Sequence, residues 1–180
     1  MSKSKMVISR GLAIIASCAI LAGCGMQNIP PSPSKDFKGG SKPIIVDSYA
    51  TPNILSNMIL PIYIEAKDPD GNMAGILFTV TQVGVNPDST HYVPLSPADR
   101  KAFKGFVTID IPKLETNERL RVEIAVVDQN GLKSDAVVKE TIIGFAYPEP
   151  LPAKWKSPEV HKLGHIFFEF LKDQTWDRTN

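Results

Sequence analysis

His161, His165 and Glu169 recur every four residues near the C-terminus. On a helix this spacing stacks them along one side. Two such imidazoles and a third ligand can hold zinc. The residues between the histidines are Lys162, Leu163 and Gly164, so the glutamate that serves as general base in an HExxH site is missing. A partly solvated helix face accounts for the pattern without a metal. Asp68, Asp70 and Asn72 place oxygen ligands at alternate positions, as calcium prefers. Counted from Asp68, an EF-hand would need Gly where Met73 stands and Glu where Thr79 stands. The competing reading is a tight turn capped by local side-chain hydrogen bonds, and Asp128 with Asn130 reads the same way. No GxSxG, GxGxxG or P-loop occurs, and the chain has 3 histidines. Nothing in the sequence sets a nucleophile beside a base, so no catalytic residue is assigned and the chain reads as a non-enzyme.

The balance of charge excludes another class. Lys plus Arg is 20 and Asp plus Glu is 19. Without a basic field there is no basis for nucleic-acid binding by counterion release. The 43% apolar content of the 180 residues is that of a chain able to bury a core.

The N-terminus reads as an address. Lys3, Lys5 and Arg10 precede the apolar run Gly11 to Leu21, which is short for a membrane span. The run ends at Leu21-Ala22-Gly23-Cys24, which resembles the lipobox of bacterial lipoproteins. That resemblance implies a signal peptide over 1–23, a diacylglyceryl thioether on Cys24, cleavage before Cys24 and acylation of the new amino group. Several acyl chains on one residue hold a protein at a bilayer far more firmly than one. Gly25, not Asp, follows the cysteine. By the same resemblance this favours the outer membrane in a Gram-negative cell; in a Gram-positive cell the box means the outer face of the plasma membrane. Processing removes three basic residues, leaving 17 basic against 19 acidic. Cys18 leaves with the signal and Cys24 is consumed, so the processed chain has no free thiol for a disulfide, thiolate site or cysteine nucleophile.

Residues 24–42, rich in Pro, Ser and Gly, read as a flexible tether. From 43 to 145 the period becomes two. Leu60, Ile62, Ile64 and Ala66 alternate with Pro61, Tyr63, Glu65 and Lys67. Ile76, Phe78 and Val80 form a second apolar face, Val107, Ile109 and Ile111 a third, and Leu120, Val122, Ile124 and Val126 a fourth. Ala136, Val138 and Ile142 are taken as a fifth, opposite Val137, Lys139 and Thr141. Adding Ile44-Ile45-Val46 and His91-Tyr92-Val93 makes about seven strands, the number of an immunoglobulin-like domain. Turn chemistry at Asp68-Pro69-Asp70-Gly71-Asn72, Asn86-Pro87-Asp88 and Asp128-Gln129-Asn130-Gly131 separates them. The expected class is all-β, an antiparallel sandwich.

Within this region Ile64-Glu65-Ala66-Lys67-Asp68-Pro69-Asp70-Gly71 followed by Ile76-Leu77-Phe78 resembles the second and third strands of bacterial Ig-like, cadherin-like or PKD-type modules. Arg121 to Ser134 resembles their last hairpin. The cysteine pair and core tryptophan of antibody domains are absent, which leaves the looser sandwich class.

Residues 146–157 read as a Pro-rich, extended linker, with Pro148, Pro150, Pro152, Tyr147 and Trp155. Ser157 and Pro158 then suit a helix start, and 158–173 is expected to form an amphipathic helix. Val160, Leu163, Phe167 and Phe170 would form its apolar stripe, with Ile166 and Leu171 beside it, and Gly164 would weaken it. The stripe would either fold back on its own sandwich or bind a partner, an envelope protein or a second copy. The expected function is a lipid-anchored cell-envelope protein with a non-catalytic binding or scaffolding domain and no cofactor besides its lipid. The alternatives are a calcium-dependent adhesion or ligand-binding module using Asp68, Asp70 and Asn72, and an accessory subunit docking through the C-terminal helix.

Overall fold

The structure, a computed structural model, describes residues 30–32, 39–85, 88–144 and 146–170. The signal segment, Cys24 and most of the tether lie outside the described residues. Among the described residues nine strands follow in chain order: β1 (Ile44–Ala50), β2 (Asn53–Leu55), β3 (Ile59–Lys67), β4 (Met73–Gln82), β5 (Ser89–Pro94), β6 (Ala102–Asp110), β7 (Glu118–Asp128), β8 (Val137–Gly144) and β9 (His161–Ile166). They make two sheets, one of four strands in the order β1-β3-β6-β9 and one of five in the order β2-β8-β7-β4-β5. The architecture is thus a two-sheet β-sandwich.

The alternation read from the sequence builds the core. Leu60, Ile62 and Ile64 of β3, Ile76, Phe78 and Val80 of β4, Val107 and Ile109 of β6, and Leu120, Ile124 and Val126 of β7 are all 0% exposed. Each such side chain contributes about 1.5–3 kcal/mol by leaving water. Antiparallel pairing of β3 with β6 and of β4 with β7 sets these residues opposite one another, as in Ile62↔Val107 and Phe78↔Ile124.

The first strand changes sheet partway. β1 pairs antiparallel with β3, and β2 pairs parallel with β8. Thr51-Pro52 makes the step between them. The Thr51 hydroxyl donates to Asn53 O (2.8 Å), and Thr51 O accepts from the Thr141 hydroxyl (2.8 Å). Pro52, which has no N–H to lose, offers its carbonyl to Ile142 N (2.8 Å).

Two expectations are corrected. In β8 the faces are reversed: Val138 and Ile142 are 44% and 46% exposed, while Thr141 and Ile143 are buried. Pairing with β7 decides this, because Thr141 lies opposite the buried Leu120, and Val137 opposite Ile124. With β-branched residues on both sides of β8, side-chain type does not show which face is inner. The bond to Thr51 O makes a buried threonine hydroxyl tolerable there.

The second correction concerns 158–173. No helix forms among its described residues, 158–170. Instead His161–Ile166 is β9, parallel to β6, with a register shift at Leu163. Val160, Ile166 and the phenylalanines that follow favour a strand as much as a helix. The open edge of β6 supplies hydrogen-bonding partners that an isolated helix of this length lacks. Glycine makes the approach possible. A Cβ on Gly105 would lie 2.5 Å from His161 O, and one on Gly164 would lie 2.5 Å from Val93 Cγ1. The glycine that weakens a helix is thus the residue that lets the strand seat. The Pro-rich stretch before it crosses from the end of β8 to the far edge of the other sheet, and the sandwich extends beyond 145 to include β9.

Candidate functional site

The outer face of the four-stranded sheet carries the least ordinary surface chemistry. Outward positions of neighbouring strands align by register: Tyr49↔Tyr63↔Phe106 form one row, and Asp47↔Glu65↔Lys104 the next. Aromatic rings facing water on adjacent strands need a cover, and the Pro-rich segment supplies it. One 3-10 turn, Ala153–Lys156, lowers Trp155 onto the aromatic row, where the indole is 4% exposed. Its centroid lies 5.5 Å from that of Tyr63, which is 5.5 Å from Phe106 and 6.2 Å from Tyr49. Burial holds the Tyr63 phenol above its ordinary pKa, and nearby Tyr49 adds to the rise.

Charge fastens the strap on both sides of the indole. Lys154 Nζ lies 2.7 Å from Asp47 Oδ2 and 2.7 Å from Glu65 Oε2, and 5.2 Å from the indole centroid. Lys104 Nζ lies 2.7 Å from Glu159 Oε1 and 6.0 Å from the indole centroid. The hydrogen bond from Lys154 holds the Asp47 carboxyl below its usual range, and the bonds to Asp47 and Glu65 raise Lys154. Glu159 is lowered in turn by its bond from Lys104.

Between the earlier part of the strap, at Pro148 to Leu151, and the sheet lies a cavity of about 230 Å³. Tyr49, Pro61 and Tyr63 form its floor, Pro148 and Leu151 of the strap its roof, and Met58 and Ile59 its rim. Glu149 also lines it, and its backbone N–H donates to the Thr51 hydroxyl (3.3 Å). Tyr49 Oη is buried with no hydrogen-bond partner among the described residues.

The residues singled out from the sequence fall into different places. Asp68, 2% exposed, caps its own turn: Oδ1 accepts Asp70 N (3.0 Å) and Oδ2 accepts Asn72 N (3.1 Å). The Asp70 carboxylate accepts Ser41 N instead of converging with Asp68. Asp128 repeats the pattern on Asn130 N (2.9 Å) and Leu132 N (2.7 Å). No group of three His, Cys, Asp or Glu that could hold a metal ion occurs among the described residues.

His161 and His165 sit on β9 and face different partners. Asp99 takes both the Ser96 hydroxyl (2.6 Å) and His161 Nε2 (3.1 Å), so the carboxylate, not the imidazole, stands beside the hydroxyl. That order does not activate a serine. Thr108 Oγ1 lies 2.8 Å from His165 Nδ1, and His165 Nε2 lies 3.3 Å from Asp110 Oδ2. This order is that of a nucleophile, base and acid. Thr108, however, is 7% exposed, and the Phe167 ring packs on His165 in a T-shaped pair with centroids 4.4 Å apart.

The expected apolar stripe is split between two environments. Leu163 and Phe170 pack against the core, Val160 is half-buried, and Phe167 is 81% exposed. What sequence reading missed is Trp155 as the cover of a second, outer cluster. The signal was present in Tyr63 and Phe106, two aromatics at outward positions of strands whose other faces are apolar.

No helix among the described residues is long and apolar enough to cross a membrane. No known protein-family model matches the chain, and no curated protein sequence matches it. Among solved structures, the chain is similar to a CARDB domain from Pyrococcus furiosus crystallised with di-metal ions. Identity is 10% and the TM-score 0.32, over 61% of this chain and 99% of that one. A score of that size carries no argument about function.

Proposed function

We propose that this is a lipid-anchored cell-envelope protein whose immunoglobulin-like sandwich works as a non-catalytic binding or scaffolding module. The observation that carries the anchoring is the charged and apolar leader ending at Leu21-Ala22-Gly23-Cys24. Lipid on Cys24 would fix the N-terminus, and the tether that follows would let the domain stand off the bilayer. Gly25 favours the outer membrane where the cell is Gram-negative. Support for the immunoglobulin-like class comes from the order of strands, with the first changing sheets at Thr51-Pro52. Support for a contact role comes from apolar side chains left in water. Ile59 and Phe167 are 59% and 81% exposed and flank Asp110, since Ile59 pairs with Asp110 and Phe167 follows Ile166, the partner of Ile109.

Metabolic labelling with a palmitate analogue, followed by membrane fractionation, tests the reading. The expected result is label in the membrane fraction, and loss of both label and membrane retention in Cys24→Ser. An unlabelled wild-type protein, or a Cys24→Ser variant that stays equally in the membrane fraction, overturns it.

A further inference from the structure

We infer that the cavity beneath the strap binds a small ammonium ion that carries N–H groups and an apolar body the size of one ring. The inference rests neither on lipidation of Cys24 nor on a contact role for Ile59 and Phe167. Volume sets the size of the guest. The cavity measures about 230 Å³, and an apolar cavity of about 150 Å³ takes benzene. A phenyl ring with a short chain therefore has room. Met58, Ile59, Pro61 and Leu151 give apolar walls, and Tyr49 and Tyr63 add aromatic rings, which attract cations as well as hydrocarbon.

Charge decides the other end of the guest. Among the described residues no Lys, Arg or His lines the cavity, so an anion finds no counter-charge there. Glu149 does line it, and its carboxylate makes no ion pair or hydrogen bond among the described residues. The acids farther along the strap differ, since Asp47 and Glu65 are both held by Lys154 Nζ at 2.7 Å. Of the cavity's hydroxyls, that of Thr51 is already spent on Asn53 O (2.8 Å) and Glu149 N (3.3 Å). Tyr49 Oη is buried and has no partner among the described residues. A phenol oxygen accepts as well as donates. An N–H brought by the guest would satisfy it, and Glu149 would supply the opposite charge. A quaternary ammonium lacks the N–H, and a neutral hydrocarbon lacks both features. An arylalkylammonium ion meets the apolar walls, the unused acceptor and the unpaired acid together.

The test titrates 2-phenylethylammonium into the full chain carrying Cys24→Ser, so that no acyl chain competes for the cavity. 2-Phenylethanol and phenylacetate, similar in size but neutral and negative, are titrated alongside, and calorimetry reads all three. The expected result is saturable one-to-one binding of the ammonium, about tenfold tighter than the alcohol, with no binding of phenylacetate. Glu149→Gln, at an exposed position, should erase the preference for the ammonium and leave the thermal melt unchanged. Leu151→Trp, which puts a larger side chain in the roof, should abolish binding of both. Absence of saturable ammonium binding overturns the inference. So does phenylacetate binding of equal strength, a preference that survives Glu149→Gln, or binding that survives Leu151→Trp, which would place the guest elsewhere. The Glu149→Gln arm decides the matter should Leu151→Trp fail to fold.

Discussion

Trp155 loses nearly all contact with water against Tyr63, although its own stretch, Ala153–Lys156, is otherwise exposed. Replacing it with alanine removes the ring and leaves the aromatic row uncovered. Trp155→Ala is expected to destabilise the domain by about 3 kcal/mol, the low end for a buried tryptophan because the site lies outside the space between the sheets. Urea unfolding measures it. Lys154 adds an electrostatic component with a defined pH window. Asp47 is lowered by its bond from Lys154, so its contribution is present above the unfolded carboxyl value of about 3.9 and is lost as pH falls through the folded value. Lys154 is raised, so its contribution is present below about 10.4 and is lost as pH rises through the folded value. The urea midpoints of wild type and Lys154→Met should therefore differ between about pH 5 and pH 10 and converge at both extremes. A difference that is flat to pH 2 would remove Asp47 from the account.

At the scale of elements, β9 is held by its seat as much as by its own residues. Gly105→Ala would drive a methyl group against His161 O, which is backbone and cannot turn aside. The variant should lose about 1–3 kcal/mol. Hydrogen–deuterium exchange should show faster exchange over 161–166, while β3, paired with the other edge of β6, keeps its protection. Equal loss in both would mean that β6 itself had been disturbed. The same element shows where sequence patterns mislead. The segment from Val160 to Phe170 fits a helical stripe, yet its β-branched and aromatic content fits a strand too. An unpaired β6 edge decided between them, and no local window contains that edge. In β3, β4, β6 and β7 the alternation of large apolar residues with polar ones left one face to bury, and the strands followed it.

For the whole molecule, the C-terminal crossing pairs the β6 edge with β9 and covers the outer aromatic row with Trp155. A chain ending at Gly144 would expose the β6 edge together with Tyr63 and Phe106. Such a chain is expected to self-associate, which size-exclusion chromatography would show as a shift from monomer to larger species. Recovery as a stable monomer would mean that the strap is dispensable. The two acidic turns also meet at this scale. Asp68 and Asp128 are buried carboxylates, the first in the turn that passes from β3 to β4 in the other sheet and the second at the end of β7, and the turns touch through Gln129 N and Asn72 O (3.0 Å).

The sequence by itself determined the β-rich class, the inner faces of four long strands, the turns capped by Asp68 and Asp128, and the lipobox-like motif at Cys24. Each of these rests on neighbours in the chain: a period of two, a carboxylate two to four residues from the N–H it accepts, or a charged and apolar leader ending in small residues and a thiol. Only the tertiary structure decided the inner face of β8, the strand at His161–Ile166 and the partners of Trp155. The first depends on pairing with the neighbouring strand β7, and the other two on groups brought together from 50 or more positions away, such as Thr108 with His165 and Lys154 with Asp47. Their energy exists only after the two sheets have closed.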